Sequence, residues 1–73
     1  MNEVRFEILK HIGVISKGKW KNAELNIVSW NGGEPKYDIR SWNEDHTSCS
    51  KGITLTRAEF EALVMLGHEH LRG

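Results

Sequence analysis

The hydropathy of this chain changes period once, and that change dictates the order of its elements. From Val4 to Ser16 apolar and polar residues alternate. Val4, Phe6, Ile8, Ile12 and Val14 share one parity, interrupted by Lys10, while Arg5, Glu7 and His11 take the other. Period two marks a half-buried strand, and Gly13 inside it marks a bulge or bend. Ser16-Lys17-Gly18-Lys19 reads as a hairpin connection. A second strand runs from about Trp20 to Trp30, with Ala23, Leu25 and Ile27 on one face and Glu24, Asn26, Val28 and Trp30 on the other. Asn31-Gly32-Gly33-Glu34-Pro35 is a turn, because Asn-Gly and Gly-Gly tolerate positive φ. The third strand is Lys36–Trp42, with Tyr37 and Ile39 on the buried parity and Lys36, Asp38, Arg40 and Trp42 opposite. After a polar loop, Asn43 to Lys51, comes a short fourth strand, Gly52 to Leu55.

The period then becomes helical. Thr56 caps a helix, and Glu59 three residues on completes a capping box. Phe60, Leu63, Val64 and Gly67 recur at i, i+3, i+4 and i+7, and Ala62 and Leu66 widen the stripe. Such a face suits packing on both a sheet and a partner helix. Leu71-Arg72-Gly73 is expected to fray. The result is β-β-β-β-α: an α+β domain whose meander sheet has one face covered by a helix.

A chain of 73 residues holds one domain, residues 1–73. It excludes a TIM barrel or a doubly wound dinucleotide fold, which need ~150 residues or more. The longest apolar run, Ala62–Leu66, is too short for a membrane span or a secretory core. One cysteine, Cys49, makes no internal disulfide and argues against a cysteine zinc site. A reducing, cytoplasmic setting is expected, with nucleoid association as an option. A core this small and unstapled is marginal, so a homodimer is expected.

Ten Lys+Arg balance ten Asp+Glu, yet the balance is uneven along the chain. Residues 1–40 carry seven cations and five acids, and residues 41–73 carry three and five. No acid interrupts the stretch that holds Lys10, Lys17, Lys19 and Lys21. The uncovered sheet face would present Asn26, Trp30, Lys36, Arg40 and Trp42, with Lys17, Lys19, Trp20 and Lys21 at the first hairpin. Cations neutralise phosphates and flat aromatics stack on unpaired bases, so this mixture suits single-stranded nucleic acid. A duplex hides its base faces. The same tryptophans serve equally well as half-buried packing residues, and a lysine-rich hairpin also guards an edge strand. Zero net charge departs from the basic balance of many nucleic-acid binders. Single-stranded RNA and a protein-interaction dimer using the aromatic face therefore stand as alternatives to DNA.

Enzyme readings find little footing. Gly32-Gly33 is followed by Glu34-Pro35 rather than by the Lys-Ser/Thr of a phosphate loop. Cys49 and His46 share one polar loop with no third orienting group. His68 and His70 are two apart on a helix and diverge. His11 reads as a surface residue, and Asp38 as a local partner for Lys36 and Arg40. No catalytic residue, cofactor or metal is expected.

Tyr37-Asp38-Ile39-Arg40-Ser41-Trp42, then Lys51-Gly52-Ile53-Thr54-Leu55-Thr56, then Glu59-Phe60 and Leu63, resembles the C-terminal domain of the eukaryotic transcriptional coactivator positive cofactor four. Phe6-Glu7-Ile8 and the run Leu25-Asn26-Ile27-Val28-Ser29-Trp30-Asn31-Gly32 are similar to its small bacterial YdbC-type relatives. The resemblance implies a strongly curved four-stranded antiparallel sheet followed by a helix. It also implies a symmetric homodimer and single-stranded DNA held along the sheets with little sequence preference, without catalysis. By motif, Arg40 and Lys51 match family DNA contacts. Trp30 stands about where the family has a stacking aromatic, and Trp42 near an aromatic pair where this chain is one residue shorter. The first hairpin is longer here, so Lys17, Lys19, Trp20 and Lys21 rest on the physical argument alone. No counterpart of the family's charged N-terminal tail is expected, so a coactivator role through that tail does not carry over.

Overall fold

The computed structural model describes residues 5–73, so Val4, where the first strand was expected to begin, lies outside the described residues. The elements are β1 (Phe6–Lys17), β2 (Asn22–Trp30), β3 (Lys36–Trp42), β4 (Ile53–Leu55) and α1 (Arg57–Arg72). The four strands form one antiparallel meander in chain order, as the alternation predicts. β2 starts at Asn22 rather than Trp20 because the hairpin is tight. Gly18 N donates to Asn22 Oδ1 (3.2 Å), and a Cβ at Gly18 would collide with the Lys21 carbonyl. The Asn31-Gly32 turn takes positive φ at both residues, 53° and 74°. Asn31 also closes the far end of the β1–β2 ladder, donating from its backbone N to Arg5 O (2.6 Å) and accepting from Arg5 N at its side chain (2.8 Å).

β1 departs from simple alternation. Leu9, Ile12 and Ile15 are skipped in the pairing with β2, each at a register shift. The partnered residues Phe6, Ile8, His11, Val14 and Lys17 then face Trp30, Val28, Asn26, Glu24 and Asn22. His11 therefore joins Phe6 and Ile8 on one face, and Ile12 leaves it, against the parity read from the sequence. Bulges spaced every third residue add twist and coil to the strand.

Burial is inverted relative to expectation. The buried residues of the sheet are Val28, Trp42, Glu24, Asn26 and Asp38, with Ser29 alone from the opposite parity of β2. The expected buried row, Ala23, Leu25, Ile27, Tyr37 and Ile39, stays half-exposed. The cause is curvature. Trp42 pairs with Asn22, eight residues from Trp30 along β2, which is ~26 Å of extended strand. Their rings nevertheless lie 6.2 Å apart and nearly parallel (13°). The sheet curls around the face that carries them, so that this inner face encloses its own core.

The helix covers little. Its contacts are with β3 and β4, and its anchor is Phe60, stacked on Tyr37 at 4.2 Å and 9°. The capping box is present: Glu59 N donates to Thr56 Oγ1 (3.1 Å) and Thr56 N to Glu59 Oε1 (2.8 Å). Helical geometry persists through Arg72, past the expected fraying point, and no helix residue is buried.

Candidate nucleic-acid interface

The inner face is built by three strands. β2 supplies Glu24, Asn26, Val28 and Trp30, β3 supplies Lys36, Asp38, Arg40 and Trp42, and β1 adds Phe6 and, through its first bulge, His11. Phe6, Trp30 and Trp42 form one aromatic cluster, with Phe6 at 5.7 Å from Trp30 and 4.9 Å from Trp42. Alternation alone places Phe6 on the correct parity, but only the curl brings it to the tryptophans.

At the rim of this cluster Arg40 lies over Trp30, its Cζ 4.4 Å from the ring centroid. Asp38, fully buried, accepts from Arg40 Nε (2.6 Å) and from Trp30 Nε1 (3.0 Å). The expected pairing of Asp38 with its neighbouring cations is thus realised with Arg40. Gly52 presses on the same guanidinium: a Cβ there would strike the Ile39 carbonyl and the Arg40 side chain. That close approach gives the Lys51-Gly52-Ile53 step its physical reason. A hollow of about 580 Å³ opens here, lined by Trp30, Gly33, Glu34, Lys36, Arg40 and Thr54. Lys36, on its wall, is exposed, and so is Lys51, the residue before Gly52.

Two of the expected surface residues are not on a surface. Trp42 is 1% exposed and Asn26 is 0% exposed. Trp42 is enclosed by Phe6, Trp30 and the His46 ring, 5.6 Å away, and its Nε1 is buried without a hydrogen-bond partner among the described residues. Asn26 is held in a polar network, accepting from His11 Nδ1 (2.7 Å) and donating to Glu24 Oε1 (3.1 Å). Both were placed on an open face from parity; the face is right, and curvature closes it over them.

Glu24 is the hub that parity reasoning missed. His46 Nε2 donates to both its oxygens (2.9 and 3.1 Å), and His11 Nδ1 lies 3.5 Å from Oε1. Burial pushes its pKa up, but hydrogen bonds from His46 and Asn26 and the charges of the two imidazoles outweigh this, and the net shift is downward. His46 reaches Glu24 from a loop residue with φ 58°, inside a turn tied by Asn43 to Asp45, Thr47 and Ser48. It is thereby engaged away from Cys49, whose backbone bridges Trp42.

The first hairpin forms a separate feature. Trp20 is 81% exposed, with Lys19 Nζ 5.5 Å over its ring. A second hollow, about 340 Å³, is lined by Gly18, Lys19, Trp20, Asn22, Trp42 and Glu44. Lys17 and Lys19 are exposed and Lys21 is half-buried. Among the described residues, no cluster of three or more His, Cys, Asp or Glu is arranged to hold a metal, and no helix is long and apolar enough to cross a membrane.

The family model described as Transcriptional Coactivator p15 (PC4) matches residues 17–66. The chain belongs to this family. The match to the p15 (PC4) family runs from the end of β1 into α1, so it contains Arg40, Lys51 and Gly52 and leaves Phe6 outside. A protein of Treponema pallidum (strain Nichols), described as an uncharacterized protein, is 43% identical over 63 residues, covering 85% of this chain and 74% of its own. Membership in the p15 (PC4) family supports nucleic-acid binding rather than catalysis.

Proposed function

We propose that this protein is a sequence-tolerant single-stranded DNA-binding protein that acts as a homodimer. The observation that carries the reading is the Arg40–Trp30 pair at the rim of the inner hollow, with Lys36 on its wall. A guanidinium over an indole offers a base a stacking edge and a phosphate a charged fork at one place. Lys36, Arg40 and Lys51 contact phosphates, and Lys19 and Lys21 extend the track towards Trp20. Trp30 and the guanidinium that lies over it form one flat plate, and a base stacks on the outer side of that plate. Trp42 and Asn26 act from behind: the first as the packing support of Trp30, the second as part of the polar floor.

Zero net charge does not oppose this reading, because two acids of the inner face are withdrawn into the sheet and Glu34 is the acid left on the wall of the hollow. Glu24 and Asp38 are buried and engaged by partners, whereas Lys36 and Lys51 remain exposed. Self-association fits the helix. Leu63 and Val64 on the Phe60 stripe, with Met65 and Leu66 further round the helix, are 47–65% exposed, apolar surface of the kind that calls for a partner. In a cytoplasmic, nucleoid-associated setting such a dimer would serve transcription regulation, repair or replication by holding unpaired strands.

The test is titration with oligo-dT, followed by tryptophan fluorescence at low and high salt. Quenching with an affinity that falls as salt rises is expected. Binding indifferent to salt, or no fluorescence change, would count against the proposal. Competition between matched DNA and RNA oligomers separates the two strand chemistries, since only the 2′-hydroxyl differs at a given contact.

A further inference from the structure

Arg40 and Trp30 come from different strands, and both are tied to a third residue. Asp38 stands two positions before Arg40 on β3, on the same face, opposite Asn26. Its carboxylate is entirely buried. One oxygen accepts from Arg40 Nε (2.6 Å) and the other from Trp30 Nε1 (3.0 Å). Each tie removes one freedom. The indole N–H fixes the ring's rotation, and the Nε contact fixes the guanidinium, which then lies 4.4 Å over that ring. Among the described residues only Nε is engaged, so the terminal nitrogens of the fork stay available to a ligand. Gly52, which admits no Cβ against Arg40, closes the arrangement from the loop side.

We infer that Asp38 is a positioning residue for nucleic-acid binding: it locks Trp30 and Arg40 into one rigid plate before the strand arrives. The inference rests on the single-stranded DNA reading above. Ordering long side chains at an interface opposes binding, and a plate ordered during folding avoids that loss. The idea is separable from plain electrostatics by sign. A carboxylate beneath a polyanion's groove repels it, so neutralising Asp38 should tighten binding by charge alone. Positioning demands the opposite result.

The substitution is Asp38→Asn. Asn keeps the shape and one acceptor, but its amide N–H₂ meets a donor where the second oxygen stood. One tie is lost and the plate loosens. Folded Asp38→Asn dimer is expected to bind oligo-dT up to about tenfold more weakly, the scale of one side chain left to order on binding. The slope of log affinity against log salt should stay unchanged, because no phosphate contact is removed. In a Trp30→Phe background, which keeps a ring but deletes the N–H, Asp38→Asn should cost far less. The two effects are then strongly non-additive.

If wild-type protein fails to bind oligo-dT, the functional reading falls. If wild type binds and folded Asp38→Asn binds equally or more tightly, only the positioning role falls. Should Asp38→Asn fail to fold by circular dichroism, wild-type protein decides by solvent exchange in NMR. Slow exchange of Trp30 Nε1–H and Arg40 Nε–H in the free protein supports the lock. Fast exchange of both, slowed only after oligo-dT is added, overturns it.

Discussion

Glu24 shows how one residue links the fold to pH. It is 4% exposed, yet its net pKa shift is downward from the ordinary 4.5. A depressed folded-state pKa means that its stabilising contribution is present above about 4.5 and is lost as pH falls through the lower folded value. Glu24→Gln should therefore flatten the acid limb of a thermal-melting profile. At neutral pH it should cost about 1–3 kcal/mol, because His46 and His11 lose a charged acceptor. Unchanged acid sensitivity in that variant would remove Glu24 from the network's energetics. The tryptophans divide in the same way. Trp42→Ala empties a buried site and should cost about 3–5 kcal/mol, so any binding defect would follow from unfolding. Trp20→Ala, at an 81% exposed position, should leave the melting temperature nearly unmoved. If Trp20 stacks on a base, that variant loses about 1–3 kcal/mol of oligo-dT affinity. Arg40→Ala and Lys51→Ala should weaken binding to every sequence and reduce the salt slope by about one phosphate each.

At the scale of elements, the helix start and the strand-connecting turn were legible because their chemistry is local. Thr56 and Glu59 form the expected capping box, and Asn31-Gly32 takes the expected positive φ. Each depends on residues within a few positions along the chain. Thr56→Ala should accordingly lower stability by about 1 kcal/mol in chemical denaturation, without altering the sheet. β1 was legible as a strand but not in its register. Leu9, Ile12 and Ile15 drop out of the pairing at every third residue, and only the partner strand reveals which residues are extra. That slip carries His11 onto the inner face and into contact with Asn26. His11 stays exposed, as the sequence suggests, and only the face on which it stands is changed by the slip.

At the scale of the molecule, the chain is open on its outer side: α1 buries none of its residues and β1 leaves three bulged apolar residues exposed, at 42–57%. A homodimer through the helix predicts a melting temperature that rises with protein concentration. Leu66→Glu should shift the molecular mass in light scattering from dimer to monomer and abolish that dependence. A wild-type monomer at all concentrations would refute the dimer.

The order of elements, the helix cap and the Asn-Gly turn were determined by the sequence itself, because each rests on short-range periodicity or on backbone chemistry within a few residues, whereas Arg40 and Lys51 were singled out by family resemblance. Which face is the core was decided only in three dimensions. Alternation sorts side chains into two sets and is silent about which set a curved sheet will enclose. Here the bulged β1 and the curl of β2 and β3 bring Phe6, Trp30 and Trp42 together. The same curl seals Glu24, Asn26 and Asp38 beneath them as paired polar groups, leaving Arg40 and Lys36 at the rim of the hollow.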